Sequence, residues 1–257
     1  MALPGGQGMI RTNILLKGVA VLCFGATASF AGSISLQEMG INVNGAVTDT
    51  GLAGGNPFTV SGVNASGFDQ DTGLGTLTFT YNPGTAGSDY VDFFLDPELS
   101  VPFYNEYGAV NGSLPPGISY QIDDPYLGSI YNNFSSGTLN NTNSIPGQVD
   151  NYLGTCSGAN CNGDVSLALG FNFTLQSGYE AVITLDATTT NPGGFSLQQV
   201  HPIDPNNPTA TDYYLSENIS IQPVVVGSVP EPGSLLLAGS AVAALAFMLI
   251  RRRVARG

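Results

Sequence analysis

No lysine or arginine occurs between Lys17 and Arg251, although all 19 Asp and Glu residues fall inside that interval. A surface without basic groups cannot neutralise phosphates, which disfavours both nucleic-acid binding and attraction to anionic lipid, so no nucleic-acid partner is expected. Salt bridges to Lys or Arg are excluded. The carboxylates must therefore be solvated, spread apart, or paired with metal cations such as calcium. Tryptophan is absent, which removes the strongest platform for stacking on sugars. There is one histidine, His201, and there are three cysteines, Cys23, Cys156 and Cys161. Two thiols in the chain's interior with no nearby His fall short of a zinc ligand set.

Long apolar runs are confined to the two ends. Arg11 and Lys17 precede Gly18 to Phe30, and Ser29-Phe30-Ala31 offers small residues where a signal peptidase cuts, so cleavage is expected after Ala31. Cys23 follows Leu22, too bulky for a lipobox, and belongs to the removed segment. At the other end, Ser234 to Ile250 holds no charged residue and spans about 26 Å as a helix at about 1.5 Å per residue. That is a short membrane span, which inserts with slight local thinning. Arg251, Arg252, Arg253 and Arg256 place the C-terminus on the cytoplasmic side. Directly before the span stands Pro230-Glu231-Pro232-Gly233.

This tripartite order of Pro-Glu-Pro, apolar helix and arginine cluster resembles the C-terminal sorting signal of PEP-CTERM proteins. The resemblance covers the ends of the chain only. It implies processing by an exosortase-type protease in Gram-negative, exopolysaccharide-producing bacteria, and a final place at the cell surface or in the extracellular matrix. A stiff polyproline spacer before a membrane helix is the plainer reading of Pro230, Glu231 and Pro232. The expected organisation is a signal peptide over 1–31, a β-rich exported domain over 32–227, and the sorting signal over 228–257.

The interior reads as strand. Gly75 to Tyr81 alternates Leu77, Phe79 and Tyr81 with Thr76, Thr78 and Thr80, the period of a half-buried strand. Tyr90 to Leu95, Val165 to Leu175, Tyr179 to Leu185, Tyr213 to Leu215 and Ile219 to Val226 behave likewise. Turn clusters stand between them, at Asn82-Pro83-Gly84, Leu114-Pro115-Pro116-Gly117 and Asn191-Pro192-Gly193-Gly194. No internal segment carries a helical stripe. The expectation is an all-β domain, an antiparallel β-sandwich or jelly roll. Leu167, Leu169, Phe171, Phe173 and Leu175 would form a central strand, with Ser177-Gly178 turning it into a hairpin with the strand of Ala181, Ile183 and Leu185. Gly170 interrupts that strand and marks a bulge or a close backbone approach. Cys156 and Cys161, six residues counted inclusively in Cys-Ser-Gly-Ala-Asn-Cys, are spaced for a local disulfide in an oxidising compartment.

Chemistry-bearing motifs are sparse. Asp49-Thr50-Gly51 and Asp71-Thr72-Gly73 match the aspartic-protease tripeptide, yet they lie too close for two lobes, and Thr48 and Gln70 precede them where an apolar residue is expected. Asp-Thr-Gly is also an ordinary turn. His201 would have to serve any Ser-His-Asp triad, and no Gly-x-Ser-x-Gly elbow accompanies it. Asp69 and Asp71, two residues apart before Gly73, have a local spacing that suits calcium, without the third acidic position or distal Glu of an EF-hand. Their plain reading is a solvated turn. Asp123-Asp124 and Asp204-Pro205-Asn206-Asn207 are further oxygen-rich stretches. Tyr104, Tyr107, Tyr120, Tyr126 and Tyr131 would stack on sugars or fill a core. Asn64-Ala65-Ser66 and Asn172-Phe173-Thr174 follow from composition and imply no glycosylation. The functional expectation is a non-enzymatic, exported surface or matrix protein. Its expected partners are signal peptidase, a sorting protease, the membrane and an exopolysaccharide. A polysaccharide-binding module and an extracellular glycoside hydrolase are the alternatives.

Overall fold

Alternating apolar residues need a second layer to cover them, and here the layers are two six-stranded sheets. The computed structural model describes residues 34–50, 60–99, 106–146, 164–201 and 211–225. All of these belong to one unit of the chain. The first sheet runs in the order β2 (Ala46–Asp49), β1 (Ser35–Val43), β5 (Gly87–Glu98), β9 (Ser166–Leu175), β7 (Ile118–Asp123) and β8 (Thr142–Asn143). The second runs β3 (Val63–Asp69), β4 (Leu74–Tyr81), β10 (Tyr179–Thr188), β12 (Tyr213–Pro223), β11 (Ser196–Val200) and β6 (Tyr107–Asn111). Among the described strands only β7 and β8 pair in parallel; the other pairings are antiparallel. The all-β expectation holds for the described residues.

One apolar cluster draws on both sheets. Val91, Phe93 and Leu95 of β5 and Leu167, Leu169 and Phe171 of β9 meet Leu77 and Phe79 of β4 and Ile183 and Leu185 of β10. Phe79 and Phe93, from opposite sheets, stand edge to face with centroids 6.2 Å apart. Tyr81 and Phe173 repeat the contact at 6.0 Å.

Three expectations change. The strand containing Leu167 and Phe171 does not form a hairpin with the strand that follows it. β9 lies between β5 and β7 in the first sheet, whereas β10 lies between β4 and β12 in the second. Ser177 and Gly178 do make a turn, but it carries the chain from one sheet to the other. Apolar side chains point inward on either side of such an arch, so the alternation is the same as in a hairpin. The segment Tyr213 to Leu215 and the start of the next one, Ile219 to Pro223, are joined as one strand, β12, paired with β10 through Ser216, Glu217 and Asn218; Val224 and Val225 lie beyond it and Val226 is outside the described residues. A helix is also present, α1 (Ile130–Ser136), whose two buried side chains, Ile130 and Phe134, are too few to form a legible stripe.

That helix covers the outer face of the first sheet. Phe134 and Ile130 pack on Phe94 and Ala168, so β5 and β9 are buried on both faces along much of their length. The expected central place of β9 and the close approach at Gly170 both hold. The register with β5 and β7 runs unbroken through Gly170, and a Cβ there would lie 2.4 Å from Asp92 Oδ1 and from Ser119 Oγ. It is therefore not a bulge. Among the described residues no helix is long and apolar enough to cross a membrane; the span expected at 234–250 lies outside them.

Candidate functional site

Since Val91, Phe93 and Leu95 point into the core, strand alternation turns Asp92, Phe94 and Asp96 of β5 to the other face. Phe94 is matched there by the helix. Asp92 and Asp96 are not matched by any basic residue, because the chain supplies none in this region. Asp96 stands opposite Glu38 of β1 and accepts a 2.6 Å hydrogen bond from Ser166 Oγ of β9. Its Oδ2 is buried with no hydrogen-bond partner.

Past Asp96 the acids converge. Glu98 ends β5, Glu106 directly precedes β6, and Asp164 lies just ahead of β9. One carboxylate oxygen from each lies within 4.8 Å of the others, and the three residues are only 8%, 0% and 8% exposed. Glu106 is held firmly: Leu99 N donates to its Oε1 at 3.0 Å, and Gln199 Nε2 of β11 donates to its Oε2. Gln199 Nε2 also donates to Pro97 O, which fixes the amide between the two sheets. Glu98 Oε2, Asp164 Oδ1 and Gln199 Oε1 are buried with no hydrogen-bond partner.

Burial raises the proton affinity of every acid in this group, because charge is disfavoured away from water. It lifts Asp96 to about 6, its hydroxyl partner Ser166 opposing and the charge of Asp124 adding. Glu98 rises to about 7 by burial and by the charge of Asp96. Asp164 rises to about 8 by burial and by Asp96, Glu98 and Asp124 together. Glu106 is pushed well above the usual carboxylate range, again by burial first, against the hydrogen bond from Gln199. The phenol of Tyr126 is raised as well, by burial and then by Asp96, Asp164, Glu98 and Glu38, so it lies within the field of the cluster.

The residues singled out from the sequence are elsewhere. Asp69 and Asp71 stand in the exposed turn between β3 and β4, where Asp69 Oδ1 accepts from Asp71 N at 2.9 Å and from Thr72 N at 3.4 Å. Asp123 Oδ2 accepts from Ser129 N and Asp124 Oδ1 from Tyr126 N, each at 2.8 Å. These bonds tie the loop that leads into α1 to the end of β7. The aspartates of the two Asp-Thr-Gly motifs stand apart: Asp49 closes β2 of the first sheet and accepts a hydrogen bond from Tyr131 Oη, while Asp71 lies in the turn between β3 and β4 of the second. His201 follows β11 and is buried, 3% exposed.

The tyrosines do not form one exposed row. Tyr107 and Tyr120 pack on the core, Tyr131 packs on Phe94, and Tyr126 is open at 61% exposure beside Leu127 at 71%. Tyr104, Cys156, Cys161, Asp204 to Asn207, Pro230, Glu231, Pro232 and Arg251 to Arg253 lie outside the described residues. Sequence reasoning passed over Glu98, Glu106 and Asp164. The available signal was Asp92, Asp96 and Glu98 at even spacing among Val91, Phe93, Phe94 and Leu95, which puts three acids of β5 on one face.

The described part is thus an all-β unit of two sheets with a buried carboxylate cluster at one end. Residues 228–253 match the PEP-CTERM protein-sorting motif, the family suspected from Pro230-Glu231-Pro232 and the arginine cluster. The motif implies an exported, membrane-anchored precursor that is processed by exosortase. No curated protein and no solved structure was found to match the chain.

Proposed function

We propose that the chain is the precursor of a non-catalytic β-sandwich protein of the cell surface or extracellular matrix. In this reading a signal peptidase removes 1–31, the helix at 234–250 holds the precursor in the inner membrane, and a sorting protease reads Pro230, Glu231 and Pro232. The observation that carries it is the match of 228–253 to the sorting motif. Two sheets over one core, with many acidic residues and no Lys or Arg between Lys17 and Arg251, suit a soluble domain that works outside the cell.

A hydrolase reading draws on the clustered carboxylates, since catalytic acids are tuned upward by burial. Glycoside hydrolysis requires a sugar to enter between two carboxyl groups. Glu98, Glu106 and Asp164 are closed in at 8%, 0% and 8% exposure, and both oxygens of Glu106 already accept hydrogen bonds, which favours the structural reading.

Changing Pro230, Glu231 and Pro232 together to Ala, Gln and Ala leaves the apolar span and the arginines intact, so insertion is unaffected. In a host that carries an exosortase, the altered protein is expected to accumulate uncleaved in the inner membrane and to vanish from the surface fraction, followed by immunoblot of fractionated cells. Equal processing of both versions would show that the segment is a spacer.

A further inference from the structure

We propose that Glu98, Glu106 and Asp164 form a buried site for one hard divalent cation of the calcium class, a role that is independent of how the protein is sorted. Two oxygens bound to one calcium at about 2.4 Å can lie no more than about 4.8 Å apart. The carboxylate oxygens of these three residues meet that limit. They do so out of water, where like charges repel strongly and an uncompensated carboxylate is costly. Protein cations are scarce: no Lys or Arg occurs between Lys17 and Arg251.

The hydrogen bonding points the same way. Glu98 Oε2 and Asp164 Oδ1 are buried acceptors with no donor, and the fully buried Gln199 leaves its Oε1 without one. Glu106, by contrast, is oriented by Leu99 N and Gln199 Nε2, as a metal-binding carboxylate is oriented by the groups behind it. Each of its oxygens keeps a lone pair for a cation.

The donor chemistry selects the ion. Three carboxylates with no thiolate or imidazole in the group favour a hard cation over zinc. Magnesium holds on to several of its waters, whereas calcium accepts irregular sets of protein oxygens. A site whose three residues are at most 8% exposed has little room for water. The position also has a structural consequence. Glu98 ends β5 and Asp164 lies just ahead of β9 in the first sheet, while Glu106 directly precedes β6 and Gln199 belongs to β11 in the second. A bound cation would tie the two sheets together at this end, and binding that favours the folded state raises its stability by mass action.

The test uses the full-length chain in detergent, stripped of metal with EDTA. Calcium is expected to raise Tm by several degrees and to bind with one ion per chain by titration calorimetry. Terbium is expected to occupy the site and to luminesce through tyrosine, since the chain has no tryptophan to compete and Tyr126 lies in the field of the cluster. Glu98→Gln and Asp164→Asn, which keep shape and remove charge, are each expected to weaken calcium binding at least about tenfold. Both variants should melt in EDTA no earlier than the wild type, because they relieve buried repulsion. A wild type that neither binds calcium nor gains Tm from it would overturn the proposal. So would calcium binding that survives in Glu98→Gln and Asp164→Asn but is lost in Asp69→Asn, which would move the ion to the β3–β4 turn.

Discussion

Asp92 faces Asn42 across the first sheet on one side and Gly170 on the other, and its Oδ2 is buried with no hydrogen-bond partner. Burial lifts its pKa from 3.8 to about 7. In the unfolded chain the group titrates near its ordinary value, so between about pH 4 and pH 7 the folded state holds a proton that the unfolded state lacks. Stability from this residue is therefore intact at the acid end, falls as pH rises through that window, and is level above it. Asp92→Asn cannot ionise. Its stability relative to wild type is expected to rise by about 2–4 kcal/mol between pH 4.5 and pH 8, measured by urea unfolding at the two pH values. Gly170 was legible in the sequence as an interruption of an apolar strand, but the reason for it was not. Glycine is required there because Asp92 and Ser119 occupy the space a Cβ would fill, and both arrive from neighbouring strands. The carboxylate cluster beyond the far end of β5 was hidden for a like cause: Glu98, Glu106 and Asp164 come from three separate chain segments and become a cluster only when those segments meet.

At the scale of elements, α1 shows how tertiary contacts replace intrinsic propensity. A helix of seven residues is too short to persist alone. It is held at its C-terminal end by Asn42, whose Nδ2 donates to Phe134 O at 2.6 Å and to Ser135 O at 3.1 Å, adding to the bond that Phe134 O accepts from Gly137 N. Gly137 ends it in the left-handed conformation at φ 68°. Gly40 provides room for the ring of Phe134, since a Cβ there would lie 2.7 Å from Phe134 Cζ. Phe134 is fully buried against Phe94 and Ala168. Phe134→Ala is accordingly expected to cost about 3–5 kcal/mol in chemical denaturation and to increase amide exchange across 130–136, because the helix loses its main apolar anchor. The sequence could not announce this helix, as its two apolar positions also fit a loop. The arch between β9 and β10 was misjudged for a related reason. Alternation reports which side of a strand is buried; it does not report which strand pairs with which.

For the whole molecule, charge asymmetry is the governing property. All Lys and Arg residues sit at the two ends, and Arg251 to Arg253 follow directly on the apolar segment. The membrane reading is tested by two reporter fusions: one after Gly257 is expected in the cytoplasm and one inserted beside Asn151 outside it, and the reverse pattern would overturn that reading. The sequence by itself determined the sorting motif at 228–253, because such a motif is a short contiguous stretch and the order of its parts is written in the chain. It also determined the all-β character, since a period of two is local and survives whatever the partner strand. The tertiary structure alone decided that β9 and β10 divide between two sheets, that a short helix closes the outer face of β5, and that Glu98, Glu106 and Asp164 share one buried volume. Those outcomes depend on contacts between residues far apart in the chain, where burial and hydrogen-bond satisfaction are settled jointly and no local pattern records the result.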